Sequence, residues 1–278
     1  METTTPESVA PADSPVEEPR STLVIGGRFI SPGRLAGASL YWLAWLAFSP
    51  RTIVSAGVQR ELDALGVGAL RLVASASLLV GLITTFQIAS ELSAFSAESM
   101  SGRALGWFAA RELGPLSVAL LVVARSGAAI AGELASMTAN AEIDALRAMG
   151  LDPIKYLVAP KLAALLIALP ALTILADGLI ILGGWIGNTV FLDYSTSFYL
   201  NQYRAEFSVA DVFLGLVKSV MFAFVLGIAA ADAGLSIERR FSAIGAAATR
   251  GVVVGLIGVL ATDTVVNGIF YFIPGLSS

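Results

Sequence analysis

Apolar residues in this chain gather into long runs separated by short polar stretches, after a start that is polar throughout. Crossing a bilayer as a helix takes about 20 predominantly apolar residues. Five runs meet that length: Leu70 to Ser90, Ala104 to Thr138, Leu162 to Leu192, Val212 to Ala231 and Gly251 to Ile273. A shorter run, Leu35 to Phe48, falls below it; its Tyr41, Trp42 and Trp45 suit the headgroup boundary, and Arg34, Arg51 and Arg60 flank it. Residues 35–60 are therefore expected as an amphipathic helix lying on the membrane, with a short true span as the alternative. The pattern predicts an all-α membrane protein, one N-terminal interfacial helix followed by five transmembrane helices. No internal repeat relates the spans. Residues 1–20, acidic and rich in Pro, Ser and Thr, offer almost nothing to bury and read as a disordered tail rather than a signal peptide. The expected division is a tail over 1–30, an interfacial region over 31–66 and a membrane domain over 67–278.

Composition supports this and removes whole classes of chemistry. Hydrophobic residues make up 56% and charged residues 14%, where a globular protein has about half and a quarter. Without cysteine there is no disulfide, thiolate nucleophile, iron–sulfur cluster or zinc-thiolate site. Without histidine a Ser-His protease and a HExxH metalloprotease are excluded, and no metal site is expected. The net charge of −4 decides little, because a third of the acids lie in the first 18 residues and in Glu61 to Asp63; no basic block suggests nucleic acid. The basic residues instead report orientation. Twelve of them fall in the N-terminal region and the 139–161 and 232–250 connections, and only Arg103 and Arg204 fall on the opposite side. Basic loops stay cytoplasmic, which puts the N-terminus inside and the C-terminus outside.

The second run is the unusual one. A helix over 104–138 would be about 52 Å long against a hydrocarbon core of about 30 Å. It must protrude, tilt or break, and Gly114 with Pro115 mark the expected break, since proline removes a backbone donor and crowds the preceding turn. On a straight helical wheel Arg111, Arg125 and Glu133 fall within an arc of about 80°, with Glu112 beside it. Ala124, Gly127, Ala128, Ala131 and Ala135 lie opposite, so 124–136, Gly132 included, is expected as a face of small residues for close helix packing. Intramembrane charges usually face a bundle interior in pairs, and Arg111 or Glu112 is expected to be paired. Such pairs serve transport or simply lock helices, and the residues alone leave both open.

The next connection, NAEIDALRAMGLDP (140–153), has a helix start at Asn140 and a stop at Gly150 with Pro153 beyond. Ile143, Leu146 and Met149 recur every three residues, with Glu142, Asp144 and Arg147 between them. A helix lying on lipid is normally rich in Lys and Arg. This one carries two acids against one base, which favours a protein partner.

The stretch RELGP…AGELASM…EIDALRAMGLDP, residues 111–153, resembles the MlaE/YrbE family, the membrane permeases of MCE-type lipid-transport ABC systems. The similarity runs from about residue 66 to 272 and includes ATR at 248–250. The resemblance implies a permease in the cytoplasmic (inner) membrane, paired with a second copy or a paralogue around a lipid pocket. It implies two cytoplasmic ATPase subunits, and an MCE-domain protein on the outer side that exchanges lipid. On it, 140–153 is the coupling helix, and Glu142, Ile143, Asp144, Leu146, Arg147, Met149, Gly150 and Asp152 dock the ATPase. It places Leu78, Leu82 and Phe86 of the first span beside the lipid pocket. The chain has no GxxxxGK[ST] phosphate loop, so it holds no cofactor of its own and the partner binds ATP and magnesium. Alone it is no enzyme. Phospholipid, fatty acid and sterol all remain open as cargo, as do import and export.

Asp177, Lys218 and Asp263 each interrupt an apolar span. One rival reading makes these the relay of an ion-coupled secondary transporter. Another makes Asp177 and Asp263 the dyad of an intramembrane aspartyl enzyme. The long charged second span and the loop helix have no place in either. LGGWIGN (182–188) reads as close packing near a boundary, and the connection 193–211 as an interface or a partner contact.

Overall fold

A computed structural model of the chain describes residues 23–25, 28–30, 35–38, 41, 56–94, 97 and 100–272. Among the described residues, five helices long and apolar enough to cross a membrane run Gly57–Ser93, Ser101–Ala139, Ile154–Phe191, Val209–Leu235 and Phe241–Phe270. They exceed the apolar runs mainly because the backbone keeps its internal hydrogen bonds past the first charged residue, as low-dielectric surroundings demand. The first span starts earliest. Residues Ala56–Glu61 are helical and lead through a π turn, Leu62–Gly66, and one 3₁₀ turn into Leu70–Ser93. The last part of the expected interfacial helix therefore opens the first span instead. Of the remainder, 35–38 and 41 are helical, with Leu35 buried in the bundle core, and the other residues lie outside the described ones. Within the expected tail, Leu23–Ile25 and Arg28–Ile30 pair antiparallel, Val24 opposite Phe29; its other residues are not described.

Two short helices cap the bundle at opposite ends. The loop helix, Glu142–Ala148, joins the second and third spans. The cap helix, Thr196–Glu206, joins the third and fourth. Half of the second span's most apolar window is buried, against 28% for the first span and 22% for the fifth. The second span is thus the central post, its Val118, Val122 and Leu134 sharing one buried core with Leu169 of the third span and Phe222 and Leu226 of the fourth.

The over-long second helix protrudes rather than breaks. Its first turns, Ser101–Phe108, pack on the cap helix. Leu113 and Gly114 keep helical dihedrals, so the expected break at Gly114–Pro115 is absent. A π turn over Ala109–Leu113 brings the chain to Pro115 at the start of the next α segment, where a missing N–H costs least.

Glycines set the closest contacts. The first and third spans run side by side, and a Cβ on Gly81 would strike the Ile180 carbonyl while one on Gly183 would strike that of Leu78. The expected small face is only partly used. Ala131 and Ala135 are fully buried, and Ala131 meets Gly234 and Gly251 of the fourth and fifth spans. Ala124 is exposed, and nothing lies within 4 Å of a Cβ on Gly132.

The cap helix is tied down by polar contacts. Ser195 Oγ accepts the Phe198 N–H at 3.3 Å, Trp185 Nε1 donates to Thr196 Oγ1 at 3.2 Å, and the buried Tyr199 hydroxyl donates to the Ile181 carbonyl at 3.0 Å. Burial, then the neighbouring Tyr203, pushes the Tyr199 phenol well up. Burial and the nearby Asp177 carboxyl push Tyr203 up to about 12.

Gly81→Val should therefore cost about 1–3 kcal/mol or more through overpacking, seen as a lower midpoint in thermal unfolding of detergent-solubilised protein, while Gly132→Val leaves that midpoint unchanged. The tyrosine shifts carry a sign. A phenol whose folded pKa lies above its unfolded value near 10 contributes no penalty below pH 10, but the fold loses stability as pH rises from there toward 12, because the unfolded chain ionises first. Tyr203→Phe should flatten that alkaline loss, measured as unfolding midpoint against pH.

Candidate functional site

Two π turns organise the charged residues of the second span. Ala109–Leu113 holds Arg111 and Glu112, and Val123–Gly127 holds Arg125. Each fits about one extra residue per turn and rotates the downstream helix by roughly 100°. The straight-wheel stripe of Arg111, Arg125 and Glu133 consequently does not form. The structure sends the intramembrane charges to three different neighbourhoods.

The first is a buried network between the second, fourth and fifth spans. Lys218, fully buried in the fourth span, has its Nζ 2.5 Å from Glu112 Oε1, 2.7 Å from Asn267 Oδ1, 3.0 Å from Asp263 Oδ1 and 3.2 Å from the Arg111 carbonyl. An ammonium has three protons for these four oxygens. Asp263 Oδ1 is the one held by charge alone, without a hydrogen bond, while its other oxygen accepts from Asn267 Nδ2 at 3.3 Å. Pro115, which has no N–H, cannot serve the carbonyl four residues back, that of Arg111, and Lys218 donates to it. Beside the network Arg111 Nε donates to Asp211 Oδ1 at 2.5 Å, and its guanidinium lies 5.3 Å from the Trp107 ring centre. Both Arg111 and Glu112 are thus paired, each across to the fourth span. Gly215 of that span sits against the Ala110 carbonyl and has no room for a side chain.

The second neighbourhood lies toward the loop helix. Arg125 Nη1 donates to the Ala64 carbonyl at 3.2 Å, and Lys161 Nζ lies 2.7 Å from both Glu133 Oε2 and Glu61 Oε1. The third concerns Asp177. Its carboxyl fills the notch left by Gly114, buried, with Oδ1 lacking a hydrogen-bond partner. Asp177 and Asp263 are therefore engaged in separate contacts, and the aspartyl dyad does not assemble. Among the described residues no three carboxylates converge as metal ligands.

The loop-helix residues split by face. Its start differs from expectation, since Asn140 closes the preceding helix and Ala141 takes a left-handed conformation (φ 58°), whereas its end is the expected one: Gly150 (φ 76°) closes the loop helix with Leu151 N–H on the Leu146 carbonyl at 3.0 Å. Ile143 is buried in the bundle core, so it anchors the helix and is not available for docking. Glu142, Met149, Gly150 and Asp152 face outward, with Leu146 and Arg147 half-buried. Asp144 pairs with Arg147 and with Arg239 of the connection before the fifth span. Asp152 Oδ1 accepts the Ile154 N–H at 3.0 Å. In the first span Leu78 and Leu82 are half-buried against Gly183 and Gly187, while Phe86 is exposed with its ring edge-on to Phe191.

Sequence reasoning noted Lys218 and Asp263 but did not join them to Glu112, and it missed Asp211 and Asn267. The available signals were a lone base in the fourth span and the Asp263–Asn267 spacing of four on one helix face.

A profile of the family described as Permease MlaE matches residues 58–269, most of the chain. The chain belongs to the MlaE permease family. The match starts where the helix of the first span starts and ends within the fifth, so the MlaE domain is the five-span bundle. Among its relatives is a probable ABC transporter permease protein of Rickettsia prowazekii, 32% identical over 76% of this chain and 82% of that protein. The intermembrane phospholipid transport system permease protein MlaE of Haemophilus influenzae is 31% identical over the same shares. A probable ABC transporter permease protein of Synechocystis is 30% identical over 66% of this chain and 70% of its own length. As an MlaE permease with five apolar helices, this is an integral membrane protein, and its buried charged network sits in the matched domain.

Lys218→Met in this MlaE permease should destabilise it by about 3–5 kcal/mol, since it strands the buried Asp263 and the half-buried Glu112. Adding Glu112→Gln and Asp263→Asn should recover most of that loss in the thermal midpoint.

Proposed function

We propose that this chain is the membrane permease subunit of an ABC transporter that moves lipid between the inner membrane and an MCE-domain protein, with ATP hydrolysed by a separate subunit. The loop helix carries this reading: it stands at the basic end of an MlaE bundle, anchored inward by Ile143 and exposing Glu142 and Met149 outward. By the distribution of Lys and Arg along the sequence, that end faces the cytoplasm and the C-terminus lies outside. Two ATPase subunits dock there on a pair of permeases, and an MCE-domain protein receives or delivers lipid on the other side. The absence of a phosphate loop in the sequence requires the separate ATPase. The Haemophilus relative's name supports phospholipid as the cargo.

In this reading the buried Lys218 network holds three spans in one arrangement, and the weakly buried first and fifth spans offer the surfaces for lipid and for the second copy. An ion-coupled secondary transporter is less well supported, because Asp263 is engaged by Lys218.

Reconstituted with its ATPase, the permease should move labelled phospholipid only when ATP is hydrolysed, and an ion gradient alone should move none. Glu142→Lys with Met149→Asp should abolish ATPase co-purification while the permease alone keeps its elution volume and thermal midpoint. Gradient-driven movement without ATP would reverse the assignment.

A further inference from the structure

A second buried lysine, outside the Lys218 network, joins the loop-helix end of the bundle to the first span. Lys161 is 3% exposed, yet its ammonium touches carboxylates from two other elements at 2.7 Å each: Glu133 on the second span and Glu61 on the helix entering the first. A lock between two helices needs one acid. Here each acid comes from a separate element, so one ammonium forms a three-way joint.

Two further bonds grip the same place. Arg125 Nη1 donates to the Ala64 carbonyl at 3.2 Å, and Ser126 Oγ to the Leu65 carbonyl at 3.4 Å, both carbonyls lying in the π turn Leu62–Gly66. Gly68 lies directly under the Arg125 guanidinium. The loop helix is continuous in chain with both of the other arms: Glu133 lies on the helix that precedes it, Lys161 on the helix after it. A displacement of the loop helix therefore moves Glu133 and Lys161 directly. It has no such short covalent route to the first span, whose exposed Leu72, Leu79, Ile83 and Phe86 form one of the bundle's least buried faces.

We propose that Lys161 is a positioning residue that carries motion of the loop helix to the first span through Glu61. This rests on the reading that an ATPase drives the loop helix. Force passes through the joint because the ammonium is desolvated: separating it from Glu61 breaks a charge-assisted bond at a lysine that is 3% exposed, where water does not replace the lost partner.

The chain contains no cysteine, so single cysteines report cleanly. Ala148→Cys marks the loop helix and Ser75→Cys the first span, and neither position is in the buried core. In the reconstituted complex of permease and ATPase, the rate of maleimide labelling at each is measured with and without ATP. Both sites should respond to ATP in the otherwise native chain. With Lys161→Met, Ala148→Cys should still respond while the response at Ser75→Cys falls about fivefold or more, a coupling loss of ordinary allosteric size. Lipid moved per ATP hydrolysed should fall with it, and Lys161→Arg should restore both. Glu61→Gln, which removes only the arm to the first span, should reproduce the Met variant and serves if that variant does not fold. An unaltered Ser75→Cys response in Lys161→Met or Glu61→Gln overturns the joint and leaves the ATPase reading standing. Absence of any ATP response at Ala148→Cys in the native background overturns both.

Discussion

An ammonium with no access to water, in the middle of a helix bundle, constrains everything around it. Lys218 cannot stay charged in an apolar interior without oxygens on all sides, and no single helix can supply them. The second span provides Glu112 and the Arg111 carbonyl, and the fifth provides Asp263 and Asn267. These three spans must therefore meet at one depth and one rotation. The π turn at Ala109–Leu113 belongs to that requirement, since it places Glu112 and the Arg111 carbonyl against the fourth span.

Elsewhere the bundle closes by shape. Lipid tails are as apolar as leucine, so helices gain little by leaving them unless their backbones approach closely. Gly81 and Gly183 bring the first and third spans together, and Ala131 with Gly234 and Gly251 does so for the second, fourth and fifth. The first span is left with one well-packed side and one exposed side, and the end near the loop helix is gripped by polar bonds. Shape and charge thus divide the work. Close packing sets which spans touch, and the two buried lysines set how they are aligned.

Five spans, an all-α architecture and a helix between the second and third were legible from apolar run lengths and one amphipathic pattern, because burying a backbone in lipid allows little else. The partners of the charges were not legible. A helical wheel assumes constant winding, and two π turns broke that assumption, turning one apparent stripe of Arg111, Arg125 and Glu133 into contacts with Asp211, Ala64 and Lys161. The same limit hid the difference between Ala131, wedged between helices, and Gly132, facing open space one residue on. Composition and periodicity decide which segments leave water; which side chain faces which is decided only when the helices pack, because a small change in winding redirects every residue after it.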